Sequence, residues 1–168
     1  ITPFYTESIK FLSRYVNFFK IASGDIDFYP MIKSISKYKK PVVVSTGMSS
    51  YTEIREILKI LKKNQVVLLH CISSYPTLEQ DLNMRTLSML KKFNKTIGFS
   101  DHTKGNIGAI MSITYGAKVF EKHFLPNQKI KNVGDFKLSL NGKKPCLVLP
   151  KFTNAASRLG STLEIVPL

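Results

Sequence analysis

Residues 41–71 read "PVVVSTGMSSYTEIREILKILKKNQVVLLHC", and this stretch decides the fold. The runs at 41–46 and 65–71 are short, continuous and rich in β-branched residues, which is typical of parallel strands buried on both faces. Between them, apolar side chains recur at helical spacing, namely at Ile54, Ile57, Leu58 and Leu61. This order predicts a parallel βαβ unit, with Thr52 as the N-cap of its helix.

The same alternation continues on both sides of this unit. Three further strands are predicted, at 18–23, 96–100 and 117–124. Further helices are predicted at 6–15, 27–38, 81–93, 105–116 and 149–160. Five strands that alternate with helices indicate a parallel α/β fold, either a doubly wound sheet or a TIM-type (β/α) barrel.

The residues that follow the strands favour the barrel. Every strand ends in polar side chains: Ser23; Ser45 and Thr46; Ser73, Ser74 and Tyr75; Ser100, Asp101 and His102; Glu121, Lys122 and His123. A barrel gathers all strand ends at one mouth, whereas an open sheet uses mainly the point where the strand order reverses. We therefore predict an incomplete TIM-type barrel of about five βα units in a domain at 1–150, followed by a helix and linker at 151–168.

Composition and charge narrow the classes of function. The net charge is +14, but the lysines cluster just before strands, as at 37–40, 59–63 and 91–95. Lysine at a helix end complements the helix dipole, so we expect a solvated face away from the strand ends and no nucleic-acid partner. No apolar run approaches 18 residues, which argues against a membrane-spanning helix. Cys71 and Cys146 lack metal or redox spacing and predict reduced thiols in a cytoplasmic protein.

Two of the three histidines follow neighbouring strands. His102 and His123 predict a divalent-metal site, with Asp101 or Glu121 nearby. The alternative is that one is a hydrogen-bonded core histidine and the other a surface residue. His70 lies inside a strand, which indicates a packed position behind the site.

Strand-end hydroxyls and one lysine predict an anion site. Lys20 lies in a strand, and hydroxyls follow the strands at Ser23, Ser45, Thr46, Ser73 and Ser100. Such groups hold a phosphate or carboxylate, although loops and helix caps are polar as well. Lys20 either forms a Schiff base with a carbonyl substrate or serves as a fixed positive charge.

Taken together, the stretches resemble the sialic acid synthase family, which comprises the N-acetylneuraminate, legionaminate and pseudaminate synthases. The matching motifs are "STGM", "LLHCISSYPT", "GFSDHTKG", "GAKVFEKHF" and "SRLGS", in order over residues 2–160. The resemblance implies a TIM-barrel synthase that condenses phosphoenolpyruvate with an N-acetylated amino sugar aldehyde and releases phosphate. It also implies a homodimer in the full-length protein and a C-terminal antifreeze-like domain beyond 151–168.

The resemblance also implies roles for individual residues. His102 and His123 hold a divalent metal, Mn²⁺ or Mg²⁺, and with Lys20 form the catalytic set. Phosphoenolpyruvate and the sugar are bound by Ser23, Ser45, Thr46, Ser73, Tyr75, Ser100 and Asp135. The chain departs from the family pattern at Phe136, where a histidine is usual. Two alternatives stay open: another phosphoenolpyruvate-dependent keto-deoxy sugar acid synthase, and an inactive fragment or scaffold remnant.

Overall fold

The structure is a computed structural model that describes residues 1–123. The strands are β1 (Phe19–Ile21), β2 (Val42–Ser45), β3 (Val66–His70), β4 (Thr96–Asp101) and β5 (Val119–Lys122). The α-helices are α1 (Ser8–Leu12), α2 (Tyr29–Ser36), α3 (Tyr51–Ile60), α4 (Arg85–Lys91) and α5 (Ile107–Thr114). Single 3₁₀ turns lie at Ser23–Asp25 and Glu79–Asp81. The predictions for Asp135, Phe136, Cys146, the helix at 149–160 and the segment 151–168 lie outside the described residues.

The strands form one five-stranded sheet in the order β1-β2-β3-β4-β5. β1 and β2 pair in parallel, and so do β4 and β5. All five predicted strands are present, and a helix follows each of the first four. The predicted fold class, consecutive parallel βα units of the TIM type, is therefore confirmed. The chain divides into two compact units, the first ending at Val67 and the second beginning at Leu68.

In the first unit, one face of the sheet packs on the side of α2, and the other face carries Lys20. Phe19 and Ile21 are fully buried, and the Phe19 ring lies 6.3 Å from the ring of Tyr38, just after α2. Strand side chains alternate between faces, so Lys20 points away from the α2 side, together with its register partner Val43. The helices bury their apolar positions, namely Met31, Ile32, Ile35, Ile54 and Ile57.

The N-cap of α3 lies two residues earlier than the sequence predicts. Ser50, not Thr52, is the N-cap: its hydroxyl accepts from the Glu53 backbone amide at 3.2 Å. The Glu53 carboxylate in turn accepts from the Ser50 backbone amide at 2.6 Å, which completes a capping box. The prediction of Thr52 was wrong because an N-cap has extended backbone, which Ser50 adopts with ψ of 161°, whereas Thr52 already lies inside the helix. The Ser50 backbone amide, followed by its hydroxyl, holds the pKa of Glu53 below its usual value.

We expect Ser50→Ala to lower the free energy of unfolding by about 1 kcal/mol, because the amide of Glu53 loses its acceptor. Thr52→Ala is the matched control, since this exposed threonine caps nothing, and it should change stability by less than about 0.5 kcal/mol. Urea titration of both variants measures the difference. Equal losses in the two variants would contradict the cap assignment.

β3 spans the boundary at Val67 and Leu68, and the second unit contains the closely approaching pair of β4 and β5. All residues of β3 are buried, and α4 buries Leu87 and Leu90. Between β4 and β5, Gly98 lies opposite Val119 and Asp101 lies opposite Lys122. The pairing places the polar ends of β4 and β5 side by side.

One lysine from each cluster that precedes a strand lies on the surface, as predicted. Lys39, Lys62 and Lys92 are all exposed, and each stands between the end of a helix and the next strand. Lys39 adopts a left-handed backbone conformation with φ of 52° just after α2. Among residues 1–123, no helix is long and apolar enough to cross a membrane.

Candidate functional site

The first unit contains a small cluster of hydrogen-bonded strand-end groups, here called the lysine cluster: Lys20, Ser23, Ser45 and Gly47. Lys20 Nζ donates to Ser45 Oγ at 2.7 Å and to the Ile21 carbonyl at 3.3 Å. Ser23 Oγ accepts from the Gly47 backbone amide at 3.0 Å. An ammonium group with hydroxyls around it provides the charge and the donors that bind a phosphate or a carboxylate.

The local fold positions the lysine cluster. Ser45 ends β2 and is buried, and Thr46 directly follows it and is buried as well. Ser45 lies on the same face as Lys20, two residues beyond the register partner Val43. The Gly47 amide is committed to Ser23, so this amide does not serve as a donor for a ligand.

The second unit brings His102 and His123 together. Their ring centroids are 5.2 Å apart with 32° between the planes, and His102 is only 8% exposed. The ring of Tyr75 lies over both, 4.3 Å from the His102 ring and 5.8 Å from the His123 ring, and parallel to the latter within 8°. We call these three side chains the histidine pair and its tyrosine. The chain therefore juxtaposes the two residues that the sequence predicted as metal ligands.

Hydrogen bonds define the orientation of the His102 ring. Its Nδ1 lies 2.6 Å from the Ile72 carbonyl oxygen, which only accepts, so this nitrogen is assigned the proton. In the neutral ring the lone pair is then on Nε2, which makes this the nitrogen available to a metal. Fixing one ring nitrogen on a backbone carbonyl is the arrangement by which proteins orient histidine ligands.

Ser100 and Glu121 complete the surroundings of His102 Nε2. The Ser100 hydroxyl donates to Glu121 Oε1 at 2.6 Å and lies 3.3 Å from Nε2. Because a hydroxyl has a single hydrogen, the serine oxygen presents a lone pair to the imidazole lone pair. Two facing lone pairs beside a carboxylate favour a cation at this position. Within residues 1–123, however, no three His, Cys, Asp or Glu side chains form a cluster that could hold a metal ion.

His70 lies apart from the histidine pair. It is buried, with Nε2 2.7 Å from the Leu82 carbonyl oxygen and its ring 5.7 Å from that of Phe99. Burial lowers the pKa of His70, against the smaller opposing effect of the bond to Leu82. The neutral ring thus ties the end of β3 to the segment before α4, which agrees with its predicted place behind the site.

The other predicted residues have less contact with these clusters. Ser73 is exposed in the loop after β3, and Tyr75 in the same loop is half exposed. Asp101 does not face the histidine pair, since Lys122 Nζ lies 2.8 Å from its Oδ2.

Sequence reasoning did not predict the Asp101–Lys122 and Ser100–Glu121 contacts. The signal is present when "SDH" is aligned on "EKH", because the parallel register pairs Ser100 with Glu121 and Asp101 with Lys122.

Consecutive parallel βα units with polar clusters at the carboxyl ends of the strands define an α/β protein of the TIM-barrel class. The chain belongs to the NeuB family, whose profile matches residues 1–163. It is 46% identical over 128 residues to an uncharacterized protein of Methanocaldococcus jannaschii, covering 73% of this chain and 38% of that protein. It is 36% identical over 164 residues to a pseudaminic acid synthase of Campylobacter jejuni, covering 95% of this chain and 48% of the synthase.

Solved structures agree with this assignment. The crystal structure of an N-acetylneuraminic acid synthetase from Leptospira borgpetersenii, in complex with citrate, superposes with a TM-score of 0.76 at 32% identity. The match covers 80% of this chain and 50% of that protein. The chain therefore spans about half the length of the relatives that it matches.

Proposed function

We propose that the protein takes part in the condensation of phosphoenolpyruvate with an N-acetylated amino sugar aldehyde, giving a nonulosonate and phosphate. Family membership and the pseudaminic acid synthase relative support this substrate class. The single observation that carries the proposal is the histidine pair, because His102 Nε2 is oriented by Ile72 at its other ring nitrogen and stands beside His123.

The bond changes of this reaction are limited. C3 of phosphoenolpyruvate forms a bond to the aldehyde carbon, water adds at C2, and the bond from C2 to the phosphate oxygen breaks. The attacking water loses one proton to a base as it adds, and the second leaves the C2 hydroxyl when the keto group forms; the sugar oxygen gains one proton and the departing phosphate the other. The protein must therefore bind an anion and an aldehyde, and hold both in reactive geometry.

We assign the anionic substrate to the lysine cluster. The Lys20 ammonium supplies a fixed positive charge, and the hydroxyls of Ser23, Ser45 and Thr46 supply donors for phosphate or carboxylate oxygens. Since Lys20 already donates to Ser45, it is held in place before the ligand arrives. This preorganisation favours the role of a fixed charge over that of a Schiff base.

We assign a divalent cation, Mn²⁺ or Mg²⁺, to His102 and His123, with the remaining coordination positions left to water and substrate. When bound, such a cation supplies Lewis acidity for a carbonyl oxygen. Two neutral imidazoles suit Mn²⁺ better than Mg²⁺, which prefers oxygen ligands.

Ser100, Tyr75, Ser73 and Asp135 are assigned to the substrates. The homodimer, the cytoplasmic location and the lack of a nucleic-acid partner stay predictions.

We expect Lys20→Met to weaken phosphoenolpyruvate binding about tenfold or more, which corresponds to about 1.4 kcal/mol, because the ligand loses its cationic partner. The matched control is the triple replacement of exposed lysines by glutamine, at Lys39, Lys62 and Lys92. It removes three charges from the surface and should leave binding of phosphoenolpyruvate and of Mn²⁺ nearly unchanged. Isothermal titration measures both. A tenfold loss in the triple variant would show that general surface charge, not Lys20, attracts the anion.

The function itself is tested by product analysis. The chain is incubated with phosphoenolpyruvate, Mn²⁺ and either N-acetylmannosamine or a phosphorylated aldose, and the 2-keto acid is identified by mass spectrometry. A product only from the amino sugar supports the proposal, whereas a product only from the aldose supports the other keto-deoxy sugar acid synthases. Binding of phosphoenolpyruvate and Mn²⁺ without any product identifies the chain as an inactive fragment.

A further inference from the structure

Asp101 and Lys122 form a buried ion pair at the ends of β4 and β5. Lys122 Nζ lies 2.8 Å from Asp101 Oδ2, and the side chains are 12% and 1% exposed, respectively. The two residues occupy directly paired positions in the parallel register. Each also immediately precedes a member of the histidine pair, so that one peptide bond separates each charge from a proposed metal ligand.

Further hydrogen bonds extend this ion pair to both sides of His102. Lys122 Nζ donates to the Thr103 carbonyl at 2.8 Å. Asp101 Oδ1 accepts from the Thr103 backbone amide at 2.9 Å and from its hydroxyl at 2.8 Å. The residues before and after His102 are therefore both tied to Lys122, the residue before His123. The His102 carbonyl is held as well, since it accepts from the Thr77 amide at 2.9 Å.

The ion pair and the histidine pair lie on opposite sides of β4 and β5. Asp101 shares a face with Phe99, and a Cβ built on Gly108 in α5 would lie 3.1 Å from Asp101 Oδ1 and 3.0 Å from Phe99 Cε1. His102 instead turns toward Ser100, whose Oγ is 3.3 Å from its Nε2. Asp101 and Lys122 thus face α5 and contact the histidines only through the backbone.

We propose that the Asp101–Lys122 ion pair is a positioning device that sets the separation of the His102 and His123 imidazoles for a shared divalent cation. The proposal rests on the metal-binding role assigned above. Stability alone does not account for the pair, since a buried ion pair stabilises a fold no better than apolar side chains of similar volume. What it adds is directional, because an ammonium that lies 2.8 Å from Asp101 Oδ2 and donates to the Thr103 carbonyl fixes the positions of the ends of β4 and β5 relative to each other.

The test removes both charges at once, so that no lone buried charge is left. In the double variant Asp101→Asn with Lys122→Met, we expect the Mn²⁺ dissociation constant, measured by electron paramagnetic resonance, to rise about tenfold or more. The thermal unfolding midpoint should stay close to that of the wild type. The matched control is Glu56→Gln with Lys59→Met, which removes an exposed ion pair of 2.6 Å in α3 and should change neither quantity.

A second measurement needs no metal. The nuclear Overhauser effect between ring protons of His102 and His123 reports their separation, and we expect it in the wild type and expect it to weaken in the double variant. If the double variant does not fold, Lys122→Arg replaces it. This variant keeps both charges but changes their geometry, and should weaken Mn²⁺ binding about fivefold.

The outcomes separate the two proposals. Unchanged Mn²⁺ affinity in the folded double variant, or in Lys122→Arg if only that variant folds, overturns the positioning role. A wild-type protein that binds Mn²⁺ no better than His102→Ala overturns the metal-binding role instead. In that case the Overhauser effect between the two rings alone tests the positioning role. If the effect persists in the double variant, or in Lys122→Arg where only that variant folds, the positioning role is overturned. If the effect is lost, the positioning role is supported.

Discussion

Gly98→Ala should lower the free energy of unfolding by about 3 kcal/mol or more, the upper range for overpacking a buried site. A Cβ built on Gly98 would lie 2.3 Å from the Val119 carbonyl oxygen and 2.5 Å from Leu69 Cδ2. Nonbonded carbon atoms prefer about 3.5 to 4 Å, so both contacts are strongly repulsive. The Leu69 side chain can turn away, but the Val119 carbonyl belongs to the backbone of β5 and moves only with the strand.

The matched control is Gly105→Ala, because a Cβ at this exposed position meets nothing within 4 Å. Its effect should stay within about 0.5 kcal/mol. Urea denaturation compares the two variants with the wild type. Since a domain of this size is stable by only about 5–15 kcal/mol, the Gly98 variant should unfold at a clearly lower urea concentration. Equal midpoints for the two alanine variants would show that β4 and β5 do not approach as closely as described.

Gly98 illustrates which features of the fold the sequence pattern predicts and which it does not. The five strands are predictable because short runs rich in β-branched or aromatic residues indicate strands, and the structure has all five, although β5 is half-buried throughout rather than buried on both faces. A glycine within a strand signals a close approach, but which atoms approach depends on the register with β5, and the register is a tertiary property. The prediction of the N-cap of α3 was wrong for a related reason. Ser50 and Thr52 have similar propensities for the N-cap position, and only the partner Glu53 distinguishes them.

In the candidate site, too, one feature was predictable from the sequence and another was not. That His102 and His123 lie together followed from their place after consecutive strands, and the structure gives 5.2 Å between the rings. The contacts that orient them could not be predicted, because they involve backbone atoms such as the Ile72 carbonyl, which has no signature in the sequence. Polar side chains that contact backbone are recognised only when the path of the chain is known.

His102→Ala should weaken Mn²⁺ binding about 100-fold or more, which corresponds to about 2.7 kcal/mol, and His123→Ala should do the same. Only two protein ligands are proposed, so the loss of either leaves one imidazole, which does not hold a cation against water. Binding requires both imidazoles in the neutral form, because a protonated ring has no lone pair for the metal. Phosphoenolpyruvate and the amino sugar should raise the affinity by filling open positions.

The matched control for these variants is His70→Gln, which keeps a side-chain donor for the Leu82 carbonyl and removes only an imidazole. We expect it to retain Mn²⁺ binding within about threefold, since His70 lies with Phe99 on the face of the strands opposite to the histidine pair. The measurement is Mn²⁺ titration of the three variants, with circular dichroism to establish that each is folded. A His70 variant that loses the metal while the His123 variant keeps it would move the binding site to the other face of the sheet. Loss of the metal from the His102 and His123 variants alone would leave the two strand-end imidazoles as its protein ligands.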